Sequence, residues 1–301
     1  MTYLNELLAA LPGTCAQGLI WGIMAIAVYI TYKILDMADM TVDGTMCTGG
    51  AVCIVMITSG HSVWVALLCA VLAGMLAGLV TGLLHTLMGI PAILSGILTQ
   101  LALYSVNLRI MGSSNRPISV RFYDLLVSLM YIKEALIVSA VLVAVVIALL
   151  YWFFGTEIGC SMRATGNNQA MASAQGINTN FIKVLGLMIS NGIVALCSAI
   201  LAQYQGFADV NMGRGAIVIG LAAVIIAEVL FSRIFRNFAL RLLGVAIGAI
   251  IYYLVIQAVL TTHIINTDDL KLLTAMVVGI FLAIPYLKGK YLSGNKRKAV
   301  H

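Results

Sequence analysis

Long apolar runs, each interrupted by a short polar or glycine-containing stretch, make up most of this chain. They predict helices at about 14–35, 45–59, 62–84, 90–108, 134–154, 181–203, 214–231, 238–260 and 270–287. Runs of this length without strict alternation read as membrane-crossing helices rather than barrel strands. One stretch breaks the pattern. Residues 155–182 are rich in small and polar side chains, although long apolar runs flank them on both sides. A lipid-facing loop cannot leave its backbone groups unpaired, so this island must lie outside the hydrocarbon. Within it, Asn167 or Asn168 can cap a helix, the stretch to Gln175 is alanine-rich, and Gly176 suits the left-handed residue that ends one. Residues 1–13 are expected to form an interfacial segment.

Composition fixes the class. With 62% hydrophobic and 9% charged residues over 301 positions, the chain reads as an all-α polytopic membrane protein of about eight to ten transmembrane helices, a single domain spanning 1–301. The net charge of +6 is scattered over loops and tail rather than gathered into a stripe, which argues against nucleic acid. Six cysteines lie mostly in apolar stretches without C-x-x-C spacing and read as small hydrophobes. No metal is assigned, because neither His61 nor His85 has a ligand partner at usable spacing. Residues 1–13 lack a basic n-region and a cleavage site, so no removed signal peptide is expected.

Lysine and arginine in short loops set the direction. The tail residues Lys288, Lys290, Lys296, Arg297 and Lys298 make 288–301 a basic cytoplasmic tail. Counting back puts Arg233, Arg236 and the Arg163 island inside and Asp268 and Asp269 outside. The loop 109–133 dissents, since Arg109, Arg116, Arg121 and Lys133 fall outside. Either the count is off by one span or these charges face an acidic partner; the second reading is adopted, with Arg109, Arg116 and Arg121 as candidates for docking a delivery protein.

The chain also echoes itself. Ala38-Asp39 is followed by Gly44 and Gly49, and Ala208-Asp209 by Gly215 and Gly220, each after a helix carrying Gln-Gly or Asn-Gly. In this topology the copies run in opposite directions, as inverted repeats with broken helices do. Glycine-interrupted segments at matching positions point to a midplane pathway. Asp39, Thr41, Asp43, Asp209 and Asn211 are accordingly candidates for the substrate path, although the acids could equally cap the helices they precede. Glu228, near the inner end of its run, could line the path, bind an amine or pair with a neighbouring polar group. Asn191 lies mid-span, where an interhelical hydrogen bond is the plainer reading, and Gly74-x-x-x-Gly78-x-x-x-Gly82 lets helices approach closely, within the chain or across a dimer.

The pattern Arg163-Ala164-x-Gly166-x-Asn168-x-Ala170-x-Ala172-x-x-x-Gly176-Ile177 resembles the cytoplasmic coupling loop of ABC-importer permeases of the branched-chain amino acid, ribose and nucleoside group. Met212-Gly213-Arg214-Gly215 and Ile219-Gly220-Leu221-Ala222 resemble that group's second glycine-rich break. Thr41-Val42-Asp43-Gly44 stands where many of the group have a Gly-x-Glu-Gly-like break, with a shorter acid here. That string, with Gly220 to Glu228, looks most like predicted tryptophan/tyrosine-type permeases of Gram-positive bacteria. The resemblance implies a multi-pass permease of a bacterial plasma membrane that works as two copies. A separate ABC ATPase would hold ATP and magnesium and grip the 155–182 loop, and a periplasmic or lipid-anchored binding protein would deliver a small solute, preferably an aromatic amino acid. The chain has no G-x-x-x-x-G-K-[ST] loop of its own. An ion-coupled secondary transporter is the rival reading. An intramembrane enzyme is disfavoured, because the spans hold no H-E-x-x-H and no Ser/His pair.

Overall fold

The computed structural model describes residues 2–119, 122–123, 125–231, 234–235, 237–261, 272, 274–280 and 283. Among them, seven helices are long and apolar enough to cross a membrane, and an eighth apolar helix is shorter. Helix α1 spans Thr2–Tyr29 and passes without a break into a π turn at Ile30–Ile34. Residues 2–13, expected as a separate interfacial segment, are thus the first turns of α1 and form no element of their own. Asp36, with a positive φ, ends the helical path, and residues 35–40 lead to α2 (Thr41–Thr58). Then follow α3 (Val63–Thr86), α4 (Ala92–Met111), β1 (Asn115–Pro117) and α5 (Ile132–Gly155). The island forms α6 (Glu157–Asn167) and α7 (Gln169–Ala174), and α8 (Thr179–Gln205) returns. A short β2 (Phe207–Asp209) pairs antiparallel with β1, and α9 (Ala216–Phe231) and α10 (Phe238–Leu260) follow. The expected span 270–287 falls largely outside the described residues, of which 274–280 are helical.

Helices α1 and α8 are the antiparallel centre. Ser190 donates to the Ala27 carbonyl, Cys197 to that of Ile20 and Tyr204 to that of Gly13, so the contacts step seven residues along both helices in opposite directions. Small residues bring α3 onto the other side of α8. The backbone around Asn191 fills the space a Cβ would need at Gly74, and that around Leu187 does so at Gly78. The glycine ladder therefore packs within the chain, where close backbone approach maximises dispersion contact between helices that lipid alone would not press together.

This arrangement defines two ends. The island end gathers the last turn of α1, the C-termini of α5 and α9 and the N-termini of α8 and α10. The far end holds Gly13, Thr58, the β1–β2 pair and the C-termini of α4 and α8. Two apolar helices start inside the bundle: α2 next to the midpoint of α8, and the shorter α9 beside the first turn of α2. From there α2 runs to the far end and α9 to the island end, so the two breaks have opposite direction, as the sequence echo implies.

Candidate functional site

The two breaks meet. Asp39, 3% exposed, sits two residues before α2; its Oδ1 accepts the Thr41 N–H at 2.9 Å and its Oδ2 accepts from Asn191 Nδ2 at 2.7 Å. Asn191 Oδ1 accepts in turn from Thr45 at 2.7 Å. Asn191 thereby makes the interhelical contacts its mid-span position implies, and an acid inside the bundle has both oxygens occupied. Thr41 is linked to Thr81 of α3 at 2.7 Å, and Thr81 donates to Thr99 of α4 at 2.9 Å. Four helices are joined through side chains that apolar neighbours shield from water, where an unmade hydrogen bond is costly.

Asp43 does for α9 what Asp39 does for α2. Its Oδ2 accepts the Gly215 N–H at 2.9 Å and its Oδ1 the Ile217 N–H at 3.0 Å, satisfying donors that the first turn of α9 cannot pair itself. Gly213 lies so close to the Asp43 carbonyl that no Cβ fits there. Both acids therefore serve as caps in this structure: Asp39 for α2, the helix it precedes, as the sequence allowed, and Asp43 for α9, a distant helix the sequence did not suggest. Asp209 and Asn211 lie farther toward the far end. Asp209 accepts its neighbour's N–H, from Asn211, at 2.7 Å and pairs across the ladder with Asn115, while Asn211 is exposed.

Glu228 is not brought to this junction. It forms an ion pair with Lys33 at 2.6 Å near the island end, with the two side chains 39% and 49% exposed. That matches the neighbouring-group reading, with a partner the sequence did not suggest because Lys33 sits in an apolar run on another helix.

The island is more built than a loop. Thr156 caps α6 by accepting from the Gly159 N–H, and Asn168 rather than Asn167 caps α7 by accepting from the Met171 N–H at 3.0 Å. Gly176, at φ 84°, closes α7: its N–H reaches the Ser173 carbonyl and the Ile177 N–H reaches that of Ala172, the paired bonds of a Schellman ending. Of the residues expected to meet an ATPase, Arg163, Gly166 and Ala172 are engaged internally. Arg163 donates to the Phe154 carbonyl and lies over the Phe154 and Phe238 rings. Gly166 abuts the Ile34 carbonyl with no room for a side chain, and Ala172 is 2% exposed. Ala164, Asn168, Ala170 and Gly176 face outward, joined by Met171, and Ile177 is half-buried.

At the far end the described arginine candidates differ in their contacts. Arg116 is tied down, donating to the Met111 carbonyl and to Thr58 Oγ1 at 3.1 Å, whereas Arg109 is exposed on the last turn of α4. Arg121 lies outside the described residues, as do Arg233, Arg236, Asp268, Asp269 and the basic tail from Lys288 to Lys298.

A bundle of apolar helices with two opposed breaks and a structured polar island is the architecture of a multi-pass membrane permease. Residues 11–286 match the family described as branched-chain amino acid transport system / permease component, and the chain belongs to that family. It is 41% identical over 267 residues to a tyrosine transport system permease protein of Clostridioides difficile (strain R20291), covering 89% of this chain and 88% of the other. It is also 33% identical over 281 residues to an uncharacterized protein of Rickettsia prowazekii (strain Madrid E), covering 93% and 98%. A solved structure titled PsaBC from Streptococcus pneumoniae in complex with Fab aligns with a TM-score of 0.40 at 16% identity, over 84% of this chain and 95% of that one. The protein is thus a transport subunit and not an enzyme.

Proposed function

We infer that this permease carries an aromatic amino acid, of the tyrosine type, into a bacterial cell on energy drawn from a separate ABC ATPase. The carrying observation is the 41% identity to a permease named for tyrosine transport, spread over nearly the whole chain. In this reading α6 and α7 face the cytosol, as does the basic tail. The exposed face of α7, around Ala170 and Met171, seats in the ATPase that binds ATP and magnesium. A binding protein meets the far end near Arg109, and a second copy of the chain completes the conduit. The low profile of Ala170, Ser173 and Ala174 suits close docking, and the internal anchoring of Arg163 and Gly166 suits transmission of force.

The test is reconstitution of the chain with its ATPase and binding protein in vesicles. ATP-dependent uptake of L-tyrosine is expected. Uptake driven by a proton or sodium gradient without the ATPase would instead make the protein an ion-coupled secondary transporter.

A further inference from the structure

A cavity of about 270 Å³ opens between α2, α4 and the break that leads into α9, and no role described above uses it. Its wall includes Cys47, Gln100, Leu101, Tyr104, Asn107 and Arg214, with Asp43 at its inner edge. Ligand pockets run from roughly 300 to 1,000 Å³, so this one suits a single small solute.

Two of its polar groups are unspent. Asn107 is fully buried, and its Nδ2 reaches the Gly44 carbonyl at 3.4 Å, which leaves Oδ1 with no partner. The orientation follows from that contact, since the reversed amide would set oxygen against oxygen. A buried acceptor without a donor is costly, and the amide's other end is already engaged by the Gly44 carbonyl and the Cys47 side chain. On the break side, the Arg214 guanidinium is exposed and has neither a hydrogen-bond nor an ion-pair partner among the described residues. Asp43 makes no ion pair with it, and its two oxygens accept instead from the amides of Gly215 and Ile217.

We propose that this cavity is a solute-binding station for an amino-acid zwitterion, with Arg214 taking the carboxylate and Asn107 Oδ1 accepting from the ammonium. An arginine matches a carboxylate in both charge and geometry. Leu101 and Tyr104, exposed along α4, offer the solute's side chain an apolar and aromatic wall. A sugar or a nucleoside carries no carboxylate for Arg214, so the pairing selects the amino-acid class. The station rests on the permease reading above and locates its cargo.

The test uses the full importer in vesicles, with radiolabelled L-tyrosine as the probe and ATP hydrolysis followed in parallel. Arg214→Gln and Asn107→Leu are each expected to lower the tyrosine carried per ATP hydrolysed by about ten-fold, the scale of a lost hydrogen bond to a charged group. Arg214→Lys should recover part of that loss. Should Asn107→Leu fail to assemble, Arg214→Gln decides alone, because its side chain is exposed and holds nothing in the fold. Both variants within two-fold of wild type overturn the station and leave the importer intact. A wild-type importer that uses ATP to carry a different class of solute overturns the station together with the proposed cargo, and one that carries nothing on ATP overturns the importer reading itself.

Discussion

Asp43 holds the amide of Gly215 at 2.9 Å across 172 residues of sequence. Through that bond, and its companion to Ile217, the first turn of α2 caps the first turn of α9, and two helices that leave in opposite directions share one anchoring carboxylate. Removing it as Asp43→Ala should lower stability by about 1–2 kcal/mol, the usual worth of an N-cap. Asp43→Asn, which keeps one acceptor, should lose roughly half as much. Thermal unfolding in detergent, read by loss of monodisperse protein, checks the order; equal melting of all three forms would show that α9 needs no cap from α2.

Asn191 bridges Asp39 and Thr45 in the buried junction. Asn191→Leu leaves both without that partner, and an unsatisfied buried polar group costs about 1–3 kcal/mol. The double variant Asn191→Leu with Asp39→Asn should be less impaired than the sum of the single losses, since the two residues are in contact. Additive shifts in the same melting assay would mean that the two side chains act independently.

Lys33 and Glu228 illustrate the opposite case. Both are substantially exposed, and pairs of this kind contribute about 0–1 kcal/mol. Glu228→Gln is therefore expected to leave melting nearly unchanged and ATP-driven uptake within two-fold of wild type. A collapse of uptake would put Glu228 on the solute's route after all.

Substitutions in the island should divide by burial. At Gly166 even an added methyl meets the Ile34 carbonyl, so Gly166→Ala is expected to loosen the fold and lower the melting temperature. Ala170 is exposed, so Ala170→Arg should melt like wild type yet fail to retain the ATPase in a pull-down. Retention of the ATPase by Ala170→Arg would move the docking surface elsewhere.

Most helix positions were legible because the hydrocarbon demands long apolar runs; α10 begins and ends at the expected residues, 238 and 260. The π turn was not legible, because Ile30 to Ile34 carry the same apolar signal as the helix before them. Helix α6 does not stand out within the polar island, although Thr156 followed by Glu157 is a start signal for it. The acids at the two breaks stood out as costly in lipid. Their partners did not, because nothing local in the sequence ties Asp39 to a residue 152 positions away. Asn107 and Lys33 were missed for the same reason, each a lone polar residue whose meaning depends on the helix opposite.

The seat of Gly166 on the Ile34 carbonyl has a mechanical corollary. Ile34 closes the π turn, and the next five residues, 35 to 39, end at the carboxylate locked to Asn191. A tether of five residues spans at most about 17 Å, so it stores little slack. Any tug that displaces α6 is handed down this leash to the centre of the bundle, and the polar knot around Asp39 must either yield or hold the whole strand still.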